Sequence, residues 1–177
     1  MNMLEERPKA TMEPQKNIAL VAHDHKKDDL LEWCLFNLHN LRGHNLYATG
    51  TTAAVLNKRL GLPITAMQSG PLGGDQQIGA RIVDGIIDCL IFFFDPLEAQ
   101  PHDPDIRALL RIAAVWNIPV ATNRATADFL ISSPLMTATY DRLLTDYFDY
   151  RNRLEPKSLA LSNQEITDAD EVQEGEL

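Results

Sequence analysis

The run Asp88-Cys89-Leu90-Ile91-Phe92-Phe93-Phe94, closed by Asp95-Pro96, constrains the fold more than any other stretch of the chain. It shows no polar–apolar alternation and is too short for a buried helix, so it reads as a strand covered on both faces. A strand of that kind needs a layer above and a layer below. Shorter runs of the same kind occur at Asn17–Ala22, Leu46–Ala48, Pro63–Met67 and Ile118–Ala121. Between them the apolar period changes to that of a helix. Leu30, Leu31, Cys34, Leu35, Leu38 and Leu41 form one stripe, stopped by Gly43. Ala53 to Leu60 ends at Gly61, and Ile78 to Val83 is followed by Gly85. A helix opening at Asp103-Pro104, with Asp103 as N-cap, runs to about Trp116, and a short one spans Thr126 to Ile131. Strands alternating with helices imply right-handed βαβ units. The expectation is a single-domain α/β fold, a doubly wound parallel sheet of about five strands with helices on both faces. Tyr140–Leu144 reads as a last extended piece, with a short helix after it through Arg153.

A chain of 177 residues suits one domain with a substantial core. The domain is expected over residues 16–154, with a polar N-terminal extension over 1–15. No apolar run approaches the ~18 residues of a membrane span, and the polar start lacks the apolar core of a signal peptide. Cys34 and Cys89 fall within a helix pattern and a strand pattern, and read as buried, reduced thiols. These features favour a cytoplasmic protein without a membrane partner. The net charge of −9 is concentrated at the end, where residues 155–177 hold seven acids and one lysine. That aromatic-free tail reads as a disordered solubilising segment. No basic cluster suggests a nucleic-acid partner.

In an open α/β sheet, ligands bind beyond the carboxyl ends of the strands. Thr49-Gly50-Thr51-Thr52 stands at such an end, before a helix, and offers only hydroxyls and backbone amides. That suits a phosphate, because amides and macrodipole make a helix N-terminus an anion site. The plainer reading is that Thr51 or Thr52 only caps the helix. Neither a P-loop nor a dinucleotide fingerprint is present, so a small phosphorylated molecule fits better than a nucleotide. Ser69-Gly70, after the next strand, could close the same site. In His23-Asp24-His25-Lys26-Lys27, the pair of histidines has no accompanying ligand set of recognisable spacing, so no metal site is expected. Lysines are unfavourable at a helix start, and a bound phosphate would explain Lys27.

Asp75, after Gly73-Gly74 and before Gln76-Gln77, suits either an N-cap or a general base approached closely by the backbone. Asp95, His102 and Asp105 each have an ordinary explanation as turn, loop or first-turn residues. What raises Asp24, Asp75, Asp95, His102 and Asp105 above these is that all follow strand ends on one side of the sheet.

The segments Val21–His25, Ala48–Thr52, Ser69–Gln77, Phe94–Leu97, Pro101–Asp105 and Ala125–Phe129, in this order and spacing, resemble the methylglyoxal synthase family from about Lys16 to Arg153. The resemblance implies conversion of dihydroxyacetone phosphate to methylglyoxal and inorganic phosphate, with no cofactor and no metal. It makes Asp75 the catalytic base. His23, Lys27, Thr49, Gly50, Thr51, Thr52, Ser69, Gly70 and His102 become binding residues, and Asp24, Asp95 and Asp105 supporting carboxylates. It also implies a cytoplasmic homohexamer in which a C-terminal arginine reaches a neighbouring subunit's site. Because the product phosphate resembles half the substrate and a shared arginine would couple sites, allosteric inhibition by inorganic phosphate is expected as well. Arg151 and Arg153 are the two counterparts, with Arg153 preferred. In this reading His102 donates as a neutral imidazole to the substrate carbonyl while Asp75 takes the adjacent proton. The threonine turn and Lys27 then fix the angle of the leaving phosphate. The alternative is a non-catalytic regulatory domain binding a phosphorylated effector, which would need the cradle but no proton-transfer carboxylates.

Overall fold

The computed structural model describes residues 8–98 and 103–147. The chain divides into two units, residues 1–145 and 146–177, and the architecture below is that of the first. Its elements in chain order are β1 (Lys9–Met12), β2 (Asn17–Ala22), α1 (Lys27–Phe36), α2 (Leu38–Leu41), β3 (Asn45–Ala48), α3 (Gly50–Leu60), β4 (Ile64–Ala66), α4 (Gly74–Val83), β5 (Cys89–Phe93), α5 (Asp103–Val115), β6 (Val120–Ala121), α6 (Arg124–Ile131) and β7 (Tyr140–Leu143).

Five strands pair in the order β4-β3-β2-β5-β6, all parallel. The topology reverses between β2 and β5, the two central strands. Every residue of β5 is buried, as its uninterrupted apolar run requires. The alternate side chains of β2 and β5 feed two cores. Ile18, Leu20, Ile91 and Phe93 pack with α1, α3 and α6, whereas Ala19, Val21, Leu90 and Phe92 pack with α4 and α5. The doubly wound sheet with helices on both faces is therefore as the sequence indicates.

The differences lie at element ends. The first long helix breaks at Asn37, whose buried side chain donates to the Trp33 carbonyl, leaving α2 as a separate turn. Both α3 and α4 start several residues earlier than the apolar pattern, because their first turns are polar and carry the site. The segment read as a polar N-terminal extension holds β1, which pairs antiparallel with β7 in a separate ribbon. The helix expected through Arg153 lies outside the described residues, as does the acidic tail.

At the amino ends of the strands, opposite the ligand side, a buried polar cluster anchors this ribbon. Lys16, 1% exposed, donates through Nζ to the carbonyls of Glu13, Met12 and Ala138. Its backbone N–H donates to His44 Nδ1 at 3.1 Å, and Asn17 N–H donates to Asp88 Oδ2 at 2.8 Å. Arg142, on β7, donates to the Trp116 carbonyl. Burial pushes the Lys16 and Arg142 pKa values down and that of Asp88 up. Cys34 and Cys89 are both free and buried, their thiols pushed up to about 12 by burial. No helix among the described residues is long and apolar enough to cross a membrane.

Candidate active site

Three consecutive strand ends and two helix starts converge on one cleft of about 250 Å³. β2 delivers Val21, Ala22, His23 and Asp24; the turn after β3 delivers Thr49 and Thr51. The turn after β4 delivers Ser69, Gly70 and Pro71, and the first turn of α4 delivers Asp75. Phe92 of β5 forms the apolar floor. Seven of the residues singled out from sequence thus line one concavity.

The phosphate-type end is the start of α3. Thr49 occupies the N-cap position in extended conformation; its hydroxyl donates to the Thr52 hydroxyl, 3.3 Å away, and accepts from no helix amide. Both threonines are buried, 4% and 1% exposed, so these hydroxyls are part of the site wall and not of a solvated surface. Ala53 N–H already bonds the Thr49 carbonyl. The amides of Thr51 and Thr52, in the first turn, have no intrahelical acceptor and form the positive end of the macrodipole. Gly50 differs from the expectation that its amide serves the ligand: its N–H donates to the Gln68 carbonyl at 3.0 Å. Its role is close approach, since a Cβ there would lie 3.1 Å from Met67 O and Ser69 N.

The carboxylate end is the start of α4. A single 3-10 turn, Gly70–Leu72, leads into Gly73 at φ 96°, a left-handed conformation that glycine adopts without strain. Gly73, not Asp75, is the N-cap, so the capping explanation of Asp75 does not hold. Asp75 sits in the helix's first turn and is 3% exposed. A buried aspartate at the wall of a polar cleft has few structural uses. Gly74 N–H donates to Ser69 O, and Gln68 N–H donates to Gln77 Oε1 at 2.8 Å. Gln68 therefore joins the two ends of the cleft: its carbonyl holds Gly50 and its amide holds α4.

His23 continues the β2 ladder through its own N–H to the Phe93 carbonyl. Its ring stands edge-on to Phe92 and Phe94, with centroids 5.3 and 5.9 Å away. Asp95 N–H donates to His23 Nδ1 at 3.0 Å. A nitrogen that accepts carries no proton, so neutral His23 is the Nε2–H tautomer, a donor on the ring's other edge. Asp24 is held below the usual carboxylate range by a hydrogen bond from Lys27, 2.5 Å away, and by that ammonium's charge.

Five predicted residues stand apart from the lining, Gly50 among them. Lys27 reaches the cleft only through Asp24. Asp95 lies behind His23, its Oδ1 accepting from Leu97 N–H, and Asp105 is half-buried in the first turn of α5. Thr52 backs Thr49. His102, Arg151 and Arg153 lie outside the described residues. A hollow of about 450 Å³ at the carboxyl ends of β5 and β6 is larger, but both its cations are taken: Lys26 pairs with Asp29 and Arg124 with Glu32. The reading from sequence missed Glu98 altogether. Its carboxylate approaches His25 Nδ1 to 3.4 Å, a contact made between loops that no spacing rule encodes.

A family model described as MGS-like domain matches residues 32–122. A methylglyoxal synthase of Erwinia tasmaniensis is 59% identical over 137 residues, covering 77% of this chain and 90% of the relative. One of Proteus mirabilis is 61% identical, covering 79% and 92%. The crystal structure of methylglyoxal synthase from Elizabethkingia anophelis superposes with a TM-score of 0.81 at 49% identity, over 86% of this chain and all of that one. Fold and sequence agree: the chain belongs to the methylglyoxal synthase family.

Proposed function

We propose that the protein converts dihydroxyacetone phosphate to methylglyoxal and inorganic phosphate. The observation that carries this reading is the pairing, in one cleft, of a buried carboxylate with a helix start lined by threonines. A regulatory module for phosphorylated effectors needs only the second. Asp75 takes the proton from the hydroxymethyl carbon beside the ketone, and the electron pair forms an enediolate across the two carbons. Donors at the carbonyl oxygen make that step accessible. His23, as the Nε2–H tautomer, and His102 are the donors in this reading. The enediolate then collapses, breaking the carbon–oxygen bond to phosphate, and the released enol becomes methylglyoxal by tautomerisation.

Elimination is favoured when the bond to phosphate stands perpendicular to the enediolate plane. Thr49, Thr51, Thr52, Ser69 and Gly70 are assigned to holding that bond in place, with Gly50 allowing the close approach of the two turns. Asp24 and Lys27 act as a charged pair at the rim, and Asp95 and Asp105 as supporting carboxylates. A homohexamer in the cytoplasm, with Arg153 entering a neighbour's site, belongs to the same reading.

The test is an assay of the full chain with dihydroxyacetone phosphate, following both products, with Asp75→Asn beside it. Equal release of methylglyoxal and phosphate is expected, abolished in Asp75→Asn while inorganic phosphate still binds. A folded wild-type protein that binds phosphorylated ligands without turnover would establish the regulatory module instead.

A further inference from the structure

We infer that His25, Asp95 and Glu98 form a binding site for a divalent transition-metal ion of the zinc class, whose occupation inhibits the enzyme. One donor atom from each of the three lies within 4.8 Å of the others. The closest pair, His25 Nδ1 and Glu98 Oε2, is 3.4 Å apart. Zinc–ligand bonds of ~2.0–2.2 Å in a tetrahedron separate ligand atoms by about 3.3–3.6 Å. One edge of the tetrahedron therefore already exists, and closing the others requires only side-chain adjustment. An imidazole with two carboxylates is a zinc-class donor set, and three protein ligands leave the fourth position open.

A second observation is independent of that spacing. Glu98 Oε2 is enclosed by protein, and the His25 ring 3.4 Å away makes no hydrogen bond to it. A carboxylate oxygen removed from water without a donor costs free energy. A cation seated between the three side chains supplies the missing partner. Two of the ligands are held locally. Asp95 is fixed by the hydrogen bond from Leu97 N–H, and His25 lies in the single 3-10 turn Asp24–Lys26.

Asp95 connects this site to the cleft. Its N–H holds His23 Nδ1, so a metal that captures the Asp95 carboxylate withdraws it from the proposed reaction and disturbs the backbone orienting His23. A divalent charge beside the cleft also competes with the start of α3 for the phosphate of the substrate. Both effects lower turnover. The inhibitory role rests on the proposed reaction, whereas the binding site does not.

The experiment titrates zinc into the metal-free full chain by calorimetry and follows cobalt substitution by visible absorption, in wild type, His25→Ala and Glu98→Gln. Turnover is measured in parallel with zinc and then with excess chelator. Neither His25 nor Glu98 is assigned to the reaction, so metal-free turnover of both variants should match wild type. One zinc per chain, a tetrahedral cobalt spectrum and chelator-reversible inhibition are expected. Affinity should fall by more than about tenfold in each variant, the loss typical of even an outer-shell partner, and inhibition should fall with it. Absence of zinc binding, or binding unchanged in both variants, would overturn the site. Zinc binding with undiminished turnover would overturn the inhibitory role. Calorimetry needs no turnover, so an inactive protein would count against the proposed reaction and leave the site decided by its own measurement.

Discussion

At the scale of single residues, the most demanding position in the cleft has no side chain. A Cβ on Gly74 would lie 2.0 Å from the Gln68 carbonyl oxygen, a main-chain atom already bonded to Gly50. Neither atom can yield without moving the turn that carries Asp75. Gly74→Ala is expected to lose about 1–3 kcal/mol of stability, the usual cost of overpacking, visible as a lower thermal midpoint. Turnover should fall far more than that loss of folded protein explains. An alanine variant with wild-type midpoint and rate would refute the close approach. Gly50, where the neighbouring backbone would have to give by only a few tenths of an ångström, should tolerate alanine better. The sequence pointed to Asp75 because two glycines precede it. It left open whether that aspartate caps the helix, which only the position of Gly73 decides.

At the scale of elements, α3 and α4 are held in register by one residue that belongs to neither. Gln68 accepts from Gly50 with its carbonyl and donates to Gln77 with its amide. Gln77 lies on the same first turns of α4 as Asp75, so this bridge sets the distance between the base and the phosphate end. Gln77→Met, of similar length and without the acceptor, is expected to lower kcat roughly fivefold to tenfold. That corresponds to one hydrogen bond of ~1–1.5 kcal/mol. Affinity for inorganic phosphate should change less. Gln77→Glu keeps the acceptor oxygen and should recover part of the rate. Equal losses of kcat and phosphate affinity, with no recovery by glutamate, would show that Gln77 serves folding alone. The strands and helices were legible from periodicity because each buries one face or both. Their first turns were not, since Gly50–Thr52 and Gly74–Gln77 carry polar residues for the site and so lack the apolar period.

At the scale of the whole molecule, a cluster of buried titratable groups lies at the end of the sheet remote from the cleft. His44 is buried and accepts from Lys16 N–H through Nδ1. Burial, aided by the Lys16 charge, pulls its pKa below the usual 6.5. The unfolded chain therefore takes up a proton first on acidification, and stability falls as pH drops from about 6.5 toward the lowered native value. His44→Asn retains an acceptor oxygen and does not titrate. Its thermal midpoint should depend less steeply on pH than that of wild type over this window, and an equal slope would refute the assignment. Nothing in the sequence marked Lys16, Asp88 and Arg142 as members of one buried cluster. Trp33 is similar: its buried indole donates to Asp128 and ties α1 to α6 across 95 residues of chain.

The sequence by itself determined the layered α/β fold, the family and the side of the sheet on which the candidate cleft lies. Apolar periodicity and glycine-bearing turns are local properties, written in consecutive residues. Only the tertiary structure decided that Gly50 serves packing, that Gln68 links the two ends of the cleft and that His23 and His25 face different partners. It alone brought Glu98 to His25 and buried Lys16 beneath a ribbon of β1 and β7. Those arrangements depend on hydrogen bonds and charges meeting between segments far apart in the chain, and no local pattern encodes which of them meet.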